Sequence, residues 1–549
     1  MNAQPRFTLL GKLISILLVG GLIALGVYTI QRGGTDPSSA PDAPEGEGGD
    51  VAEVKVEVPT LSPPAPYQLR DNTVPIEISE YAGYAGLIAA NGGMEPSENS
   101  YFFKNHGFKV RLTLSEDEDW SELNEGKIAG SVTTVDVLAA YGRQLHAVVP
   151  AQIGFSRGAD KVVVLKDITR INQLKGKTIA TAQFTEVDFF IRYLAQEAGL
   201  EINALGGLDA TPNPDRLNLV YTEDGFGAGD LFLKDVTSGR NRLAGCVTWE
   251  PKASEVVDGS GGQARVLTTN RNLLIIADVM VLHRGFAQEH PKIVEGLVDG
   301  LLEGNRMVRD RPDQYLDVIG RAFKWSREDT KGELADVHLA NLPENLAFFS
   351  GAIDAAGSFG GIYQSAVLAY GSDLIRDPPD ASRFASLDGL TAADASGRFK
   401  DQKVAIAPIR SGGGAAVETN PLLSKDIRFL FEPNSSSLDL SNPDNLRNLE
   451  SIKRLLQVSP GSTVLLRGHV DNARVDEFRQ QGGEALVRRS ALRAMALSKD
   501  RAAEIRRLLI ERHTVDAQRI DIVGRGWEEP AGSDSDMNRR VEVQWFTLE

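Results

Sequence analysis

The chain opens on an unbroken run of apolar and small residues. From Leu13 to Ile30 no position is charged. Eighteen helical residues at about 1.5 Å rise span roughly 27 Å, enough to cross the hydrocarbon of a bilayer. Arg6 and Lys12 precede the run, and Asp36, Asp42, Glu45, Glu47 and Asp50 follow it. This asymmetry assigns residues 1–12 to the cytoplasm and the bulk of the chain to the far side. The run ends in Val27-Tyr28-Thr29-Ile30 with no Ala-x-Ala. That favours a retained transmembrane helix over a cleaved signal peptide, which stays open as the alternative. Residues 31–66 are rich in Pro, Gly, Asp and Glu and predict a disordered linker.

The pattern changes at Tyr67. Strand-like runs at Val74–Ser79, Lys109–Leu114, Thr178–Ala182, Ala244–Thr248 and Leu273–Val281 alternate with helix-periodic ones. The helical runs are Thr133–Tyr141, Glu186–Ala198, Pro291–Arg306 and Asp313–Phe323. Such alternation predicts an α/β domain over 67–387 on mostly parallel sheets, and its length predicts two lobes. Residues 388–423 read as a second linker. From 424 to 549 the order is strand (Ile427–Phe431), helix (Pro443–Val458), strand (Thr463–Gly468), helix (Lys499–His513) and two strands (Ile520–Gly524, Arg540–Phe546). This predicts a small α/β sandwich.

Composition narrows the function classes. A length of 549 residues exceeds one core. A formal net charge of −16 argues against nucleic acid as a partner. Cys246 stands alone, so no intramolecular disulfide forms. The seven histidines never fall at metal-ligand spacing, so neither metal nor cofactor is expected. No Ser-His-Asp order and no catalytic-cysteine context is present, and the chain is not expected to be an enzyme.

Four segments of the last 125 or so residues occur in a telling order. They are Phe431, Pro433, Ser436 and Leu438; Arg467-Gly468-His469-Val470-Asp471; Leu497-Ser498-Lys499-Asp500-Arg501-Ala502; and Met537-Asn538-Arg539-Arg540-Val541-Glu542. Together they resemble the OmpA-like peptidoglycan-binding domains. The resemblance implies recognition of the diaminopimelate in the peptide stem, whose free end carries an ammonium beside a carboxylate. Asp471 would take the ammonium and Arg501 the carboxylate through its planar fork. Asn538 and nearby amides would complete the pocket. Two departures stand out. Val470 occupies a position where the family usually has Thr, and an insert around Glu477–Ala491, with Gly482-Gly483 inside it, lengthens the connection to Arg501.

The middle region carries Gly126-Lys127-Ile128-Ala129-Gly130, Ser156-Arg157-Gly158-Ala159-Asp160, Leu174-Lys175-Gly176-Lys177, Thr248-Trp249-Glu250-Pro251, and Ile276-Ala277-Asp278 through His290-Pro291. These resemble the type II periplasmic solute-binding proteins of the nitrate, sulfonate, taurine and thiamine-precursor branch. The resemblance implies a small anionic or zwitterionic solute between two lobes, met by helix N-termini. Thr133, Thr134 and Thr185 stand at loop-to-helix junctions suited to that role, and each reads equally as a plain N-cap. Tyr84 and Trp249 would cover an organic part, although Trp249 reads equally as core. Glu250 and Asp278 would suit a ligand carrying an amine.

Taken together, the expectation is a single-pass inner-membrane protein with both folded domains in the periplasm. It would bind peptidoglycan and a small solute, with an ABC permease as a further partner. The alternative is a structural cell-wall tether in which the solute-binding fold is a spacer or docking module. A stator of the MotB type is a variant of the tether. It is disfavoured because Leu13–Ile30 lacks the protonatable Asp that proton-driven work needs.

Overall fold

The structure is a computed structural model, and it describes residues 51–115, 120–351, 357–406, 421–432, 435–532 and 535–546. The expected span at Leu13–Ile30 and the linker residues 31–50 and 407–420 lie outside the described residues. Among the described residues no helix is long and apolar enough to cross a membrane.

Twelve strands build the middle region. They are β1 (Thr73–Ile78), β2 (Lys109–Leu114), β3 (Gly130–Thr134), β4 (Ala147–Ser156), β5 (Lys161–Leu165), β6 (Thr178–Ala182), β7 (Ile202–Ala204), β8 (Leu217–Thr222), β9 (Gly245–Thr248), β10 (Ala264–Thr269), β11 (Ala277–His283) and β12 (Val337–Leu339). Strand β1 shows the alternation that made it legible, with Val74, Ile76 and Ile78 buried and their neighbours partly exposed. In β4 and β11 every residue is buried, as expected of strands covered on both faces.

These strands form two sheets, ordered β12-β4-β11-β3-β1-β2 and β10-β5-β9-β6-β8-β7. Two lobes result, as the length predicts. The sheets are mixed, however, where mostly parallel ones were expected. In the first, β1 runs parallel to β2 and β3, but β11 is antiparallel to β3 and β4. In the second, β6 is parallel to β8 and β9, but β5 is antiparallel to β9 and β10. The chain crosses between lobes twice, at Arg157–Asp160 and again between β10 and β11. A strand entering from the other lobe starts at the cleft edge, so it runs against strands that end there.

Local boundaries differ in instructive ways. Thr133 and Thr134 end β3, and the helix begins at Val135. The apolar run Leu273–Ile276 is buried but belongs to the second crossing. It touches the C-terminal domain as well, since the Leu274 amide donates to the Val458 carbonyl at 2.7 Å.

Residues 51–66, expected within a disordered linker, form a strap along both lobes. Ala52 bridges Tyr221 of β8 in the second lobe. The Gln183 carboxamide accepts from the Lys55 amide at 2.8 Å and donates to its carbonyl at 2.7 Å. Gln144 accepts from the Leu61 amide at 2.8 Å and donates to the Pro59 carbonyl at 3.0 Å. The Ala65 amide donates to Asn124 of the first lobe. A chain too polar to bury a core is ordered by side chains 59 to 128 residues away, outside any local window. The second expected linker is also partly folded: Leu390, Ala393 and Phe399 lie in the first lobe's core.

The C-terminal unit has the sheet β13-β16-β14-β15, from β13 (Leu423–Ile427), β14 (Thr463–Gly468), β15 (Ile520–Gly524) and β16 (Val541–Phe546). Helices Pro443–Val458 and Val475–His513 cover it, and β13 lies earlier than the strand expected at Ile427–Phe431. The insert is helical: residues from Val475 form a first segment, a break falls at Gly482 and Gly483, and the helix then runs on to His513. Gly468 has no room for a side chain, because a Cβ would stand 2.0 Å from the Ser498 carbonyl oxygen of this helix.

This unit docks on the second lobe. The Asn172 carboxamide accepts from the Ser424 amide and donates to its carbonyl, each at 2.8 Å. Buried Glu197 faces Arg454 at 3.4 Å and Lys425 at 3.8 Å. One apolar cluster holds Ile171 and Tyr193 of the lobe together with Leu422, Val458 and Trp545 of the sandwich.

Candidate functional site

The carboxyl ends of β1, β3, β4, β6, β8 and β9 all face the cleft, as do the starts of β5 and β11. Their loops border a cavity of about 230 Å³. Tyr84, Thr133, Thr134, Thr185 and Trp249 all line it. So do residues that the sequence reading did not single out, chiefly Lys55, Tyr81, Trp120, Asp160 and Phe184. Asp160 stood inside a quoted motif without being assigned a role. Lys55 carried no sequence signal, because only the strap brings it there.

The floor is polar and buried. Asp278, near the start of β11, sits opposite Thr134 of β3 in the sheet register. The Tyr84 hydroxyl donates to Asp278 Oδ1 at 3.1 Å. Asp278 Oδ2 and Thr134 Oγ1 are buried with no hydrogen-bond partner. Burial pushes the Asp278 carboxyl well above its ordinary range, and the charges of Asp160 and Asp136 add to this against the Tyr84 hydrogen bond. Asp160 lies in the first crossing and accepts from Ser156 and from Asn270, the latter at 2.8 Å. Burial nevertheless raises its carboxyl to about 6. Asn270 also accepts from the Gly158 amide at 2.8 Å, which ties the two crossings together.

The helix ends at the cleft carry acidic residues where an anion site was expected. Helix Val135–Tyr141 carries Asp136 in its first turn, and helix Glu186–Glu197 carries Glu186 and Asp188. Asp188 accepts from the Phe184 amide at 3.2 Å, and Asp224 caps the helix Gly225–Thr237 by accepting from Gly227 at 2.7 Å. The Thr185 hydroxyl donates to the Ala182 carbonyl at 2.8 Å, a local turn bond. These helix dipoles already meet the protein's own carboxylates.

Trp249 is half-buried and packs on Phe226, ring centroids 5.0 Å apart. A Cβ on Gly225 would stand 2.1 Å from the Trp249 ring, so glycine there admits the indole. Glu250 does not line the cavity. It is held by Lys161 and by the Ser254 amide and hydroxyl.

The second site lies on the sandwich. Arg501 is half-buried, its guanidinium 4.8 Å from the Phe431 ring centroid and its Nε donating to the Ser435 carbonyl at 3.3 Å. No carboxylate pairs with it among the described residues. Burial and the charge of Arg539 lower its pKa, against the pull of Asp471. Asp471 accepts from the Ala473 amide at 3.2 Å and faces Arg539 at 3.8 Å. Asp471, Arg501 and Arg539 thus form one charged group, and Arg539 is the member the sequence reading missed. Asn538, expected to complete the pocket, is buried with its carboxamide engaged. Oδ1 accepts from Ala531 and Gly532, and Nδ2 donates to the Gly532 carbonyl. These bonds hold that loop.

Among the described residues, His469, Glu529 and Glu542 bring donor atoms within 4.8 Å of one another, a grouping that spacing did not reveal. Arg467 pairs with both carboxylates, so a guanidinium already supplies the positive charge there.

Two six-stranded α/β lobes, joined by two crossings beside a cleft, define a periplasmic-binding-protein-like fold. The helix-covered four-stranded sheet defines an OmpA-type sandwich, and residues 430–544 match the model of the OmpA family. No curated protein matches the sequence. Among solved structures the chain is similar to the ligand-binding component of an ABC-type import system from Staphylococcus aureus, with zinc bound (14% identity, TM-score 0.42, covering 58% of this chain and 98% of that one). It is also similar to the periplasmic aliphatic sulphonate binding protein from Escherichia coli (15%, 0.43, 58% and 97%). A desulfurization enzyme aligns as well (16%, 0.41, 60% and 100%). Scores this low carry no weight beside the sheet order and the crossings, which define the fold directly.

Proposed function

We propose that this protein is a non-enzymatic solute receptor of the cell envelope, fastened to peptidoglycan by its C-terminal domain. The observation that carries the reading is the open cleft between the lobes, floored by unpartnered polar atoms, in a chain whose other folded unit is an OmpA-family domain. Tyr84, Thr133, Thr134, Thr185 and Trp249 contact the solute, and the lobes close about the two crossings. On the sandwich, Asp471 receives the ammonium of diaminopimelate, and Arg501 with Arg539 receives the carboxylate. The N-terminal apolar run anchors the chain in the inner membrane, both folded units lie in the periplasm, and a permease takes up the released solute.

The test is co-sedimentation of the full chain with purified sacculi, beside thermal shift over a panel of small solutes. Parent protein is expected in the pellet, Asp471→Ala and Arg501→Ala in the supernatant, with one solute raising the melting temperature. Unchanged pelleting by both variants overturns the wall site.

One observation favours a second reading, a tether with the fold as spacer. The strap is hydrogen-bonded to both lobes and so resists hinge motion. An absence of any thermal response to the solutes supports that reading.

A further inference from the structure

We propose that the cleft selects a small organic ammonium ion, a primary or secondary amine on a compact body, in place of the anion that its fold resemblance implies. This rests on the receptor reading above and concerns the same cavity.

The first argument is charge. The lining holds Asp160, Glu186, Glu223, Asp224 and Asp278 against Lys55 alone. An anion entering here meets the carboxylates of Glu186, Glu223 and Asp224, and two of the helix ends that would compensate it carry acidic residues in their own first turns. The second argument is an unmet valence. Asp278 is 3% exposed, and its Oδ2 has no hydrogen-bond partner. A buried carboxyl oxygen in that condition lacks a partner, and burial favours its neutral form until a donor of opposite charge arrives. An ammonium N–H supplies both the donor and the charge. Thr134 Oγ1, across the register from Asp278, is a second acceptor without a partner.

The walls fit the rest of such a ligand. Tyr81, Tyr84, Phe184 and Trp249 surround the acidic floor, and aromatic faces attract a cation as well as its alkyl body. A bare divalent metal is a poor match, since it needs about six oxygen ligands and gains nothing from aromatic walls. A quaternary ammonium has no N–H and leaves Asp278 Oδ2 unpaired.

The test is isothermal titration of the detergent-solubilised full chain with 1,4-diaminobutane, ethanolamine, tetramethylammonium, propanesulfonate, taurine and zinc chloride. Either 1,4-diaminobutane or ethanolamine is expected to bind at least about tenfold more tightly than tetramethylammonium or propanesulfonate. Asp278→Asn and Asp160→Asn are each expected to weaken that amine by about tenfold or more, as loss of a charged hydrogen-bond partner does. Should Asp278→Asn not fold, Thr134→Val is expected to weaken it several-fold. Binding of propanesulfonate or taurine without the amines overturns the inference and leaves the receptor reading intact. Binding of zinc alone, or amine binding unchanged in the folded variants, also overturns it. A chain that binds nothing overturns both.

Discussion

At the scale of single residues, carboxylates do different work according to what faces them. Glu542 illustrates the paired case. Burial opposes its ionisation, but His469 at 3.7 Å, the Gln544 amide at 2.9 Å and the Arg467 guanidinium outweigh this and hold the carboxyl down at about 2. Its folded value lies below the ordinary 4.5. It therefore stabilises the fold fully above about 4.5, and that contribution is lost as pH falls toward 2. Thermal unfolding of parent and Glu542→Gln should differ most near neutral pH and converge as pH drops through this window. Asp160 is the opposite case. With its carboxyl raised to about 6, it favours the folded state at low pH, and the preference is lost as pH rises from about 4 to 6. Arg501 adds a geometric case. Its stacking on Phe431 fixes the plane of a guanidinium that no described carboxylate pairs with. Arg501→Lys keeps the charge but loses the fork and the stacking, so sacculus binding should fall by about tenfold or more in co-sedimentation.

At the scale of elements, two contacts join segments that sequence treats as independent. Asn172 makes a two-way bond with the Ser424 backbone, and Glu197 is buried against Arg454 and Lys425. The sandwich is therefore seated on the second lobe through β13. Removing a buried hydrogen-bond partner costs about 1–3 kcal/mol. The double variant Asn172→Ala, Glu197→Gln should release the sandwich while both units stay folded. Small-angle scattering would then report a larger radius of gyration with unchanged circular dichroism, and an unchanged radius counts against the seating. The strap behaves likewise. Gln183→Ala removes both bonds to Lys55 and should speed amide exchange at that residue relative to the parent.

At the scale of the whole molecule, the two sites sit on units in direct contact. The second crossing between the lobes also bonds the sandwich through Leu274 and Val458. This arrangement explains why three features read differently in sequence. Residues 51–66 look disordered because their partners, Gln183 and Gln144, are distant in the chain. Leu273–Ile276 looks like a strand because it is apolar and buried, although it belongs to a crossing. The sheets look parallel because alternation of elements says nothing about which lobe a strand returns from.

The sequence by itself determined the two folded units and most strand and helix positions, and it named Asp471 and Arg501 as candidates, because periodicity and motif order are local properties. Helix Pro443–Val458 and strands β14 and β15 have the expected bounds, since each has a regular apolar pattern of its own. It also pointed to five residues that line the cavity, because strand ends and helix starts mark the cleft in an α/β lobe. The sign of the cavity was a tertiary matter. Asp160 comes from one crossing and Asp278 from the strand that follows the other. Only folding brings the two carboxylates to one buried floor, and only there does burial set how they ionise. The same holds for Arg539 beside Asp471 and for Asn538, whose carboxamide is spent on a loop. A residue's type is written in the chain, but its free valences are decided by what the fold puts next to it.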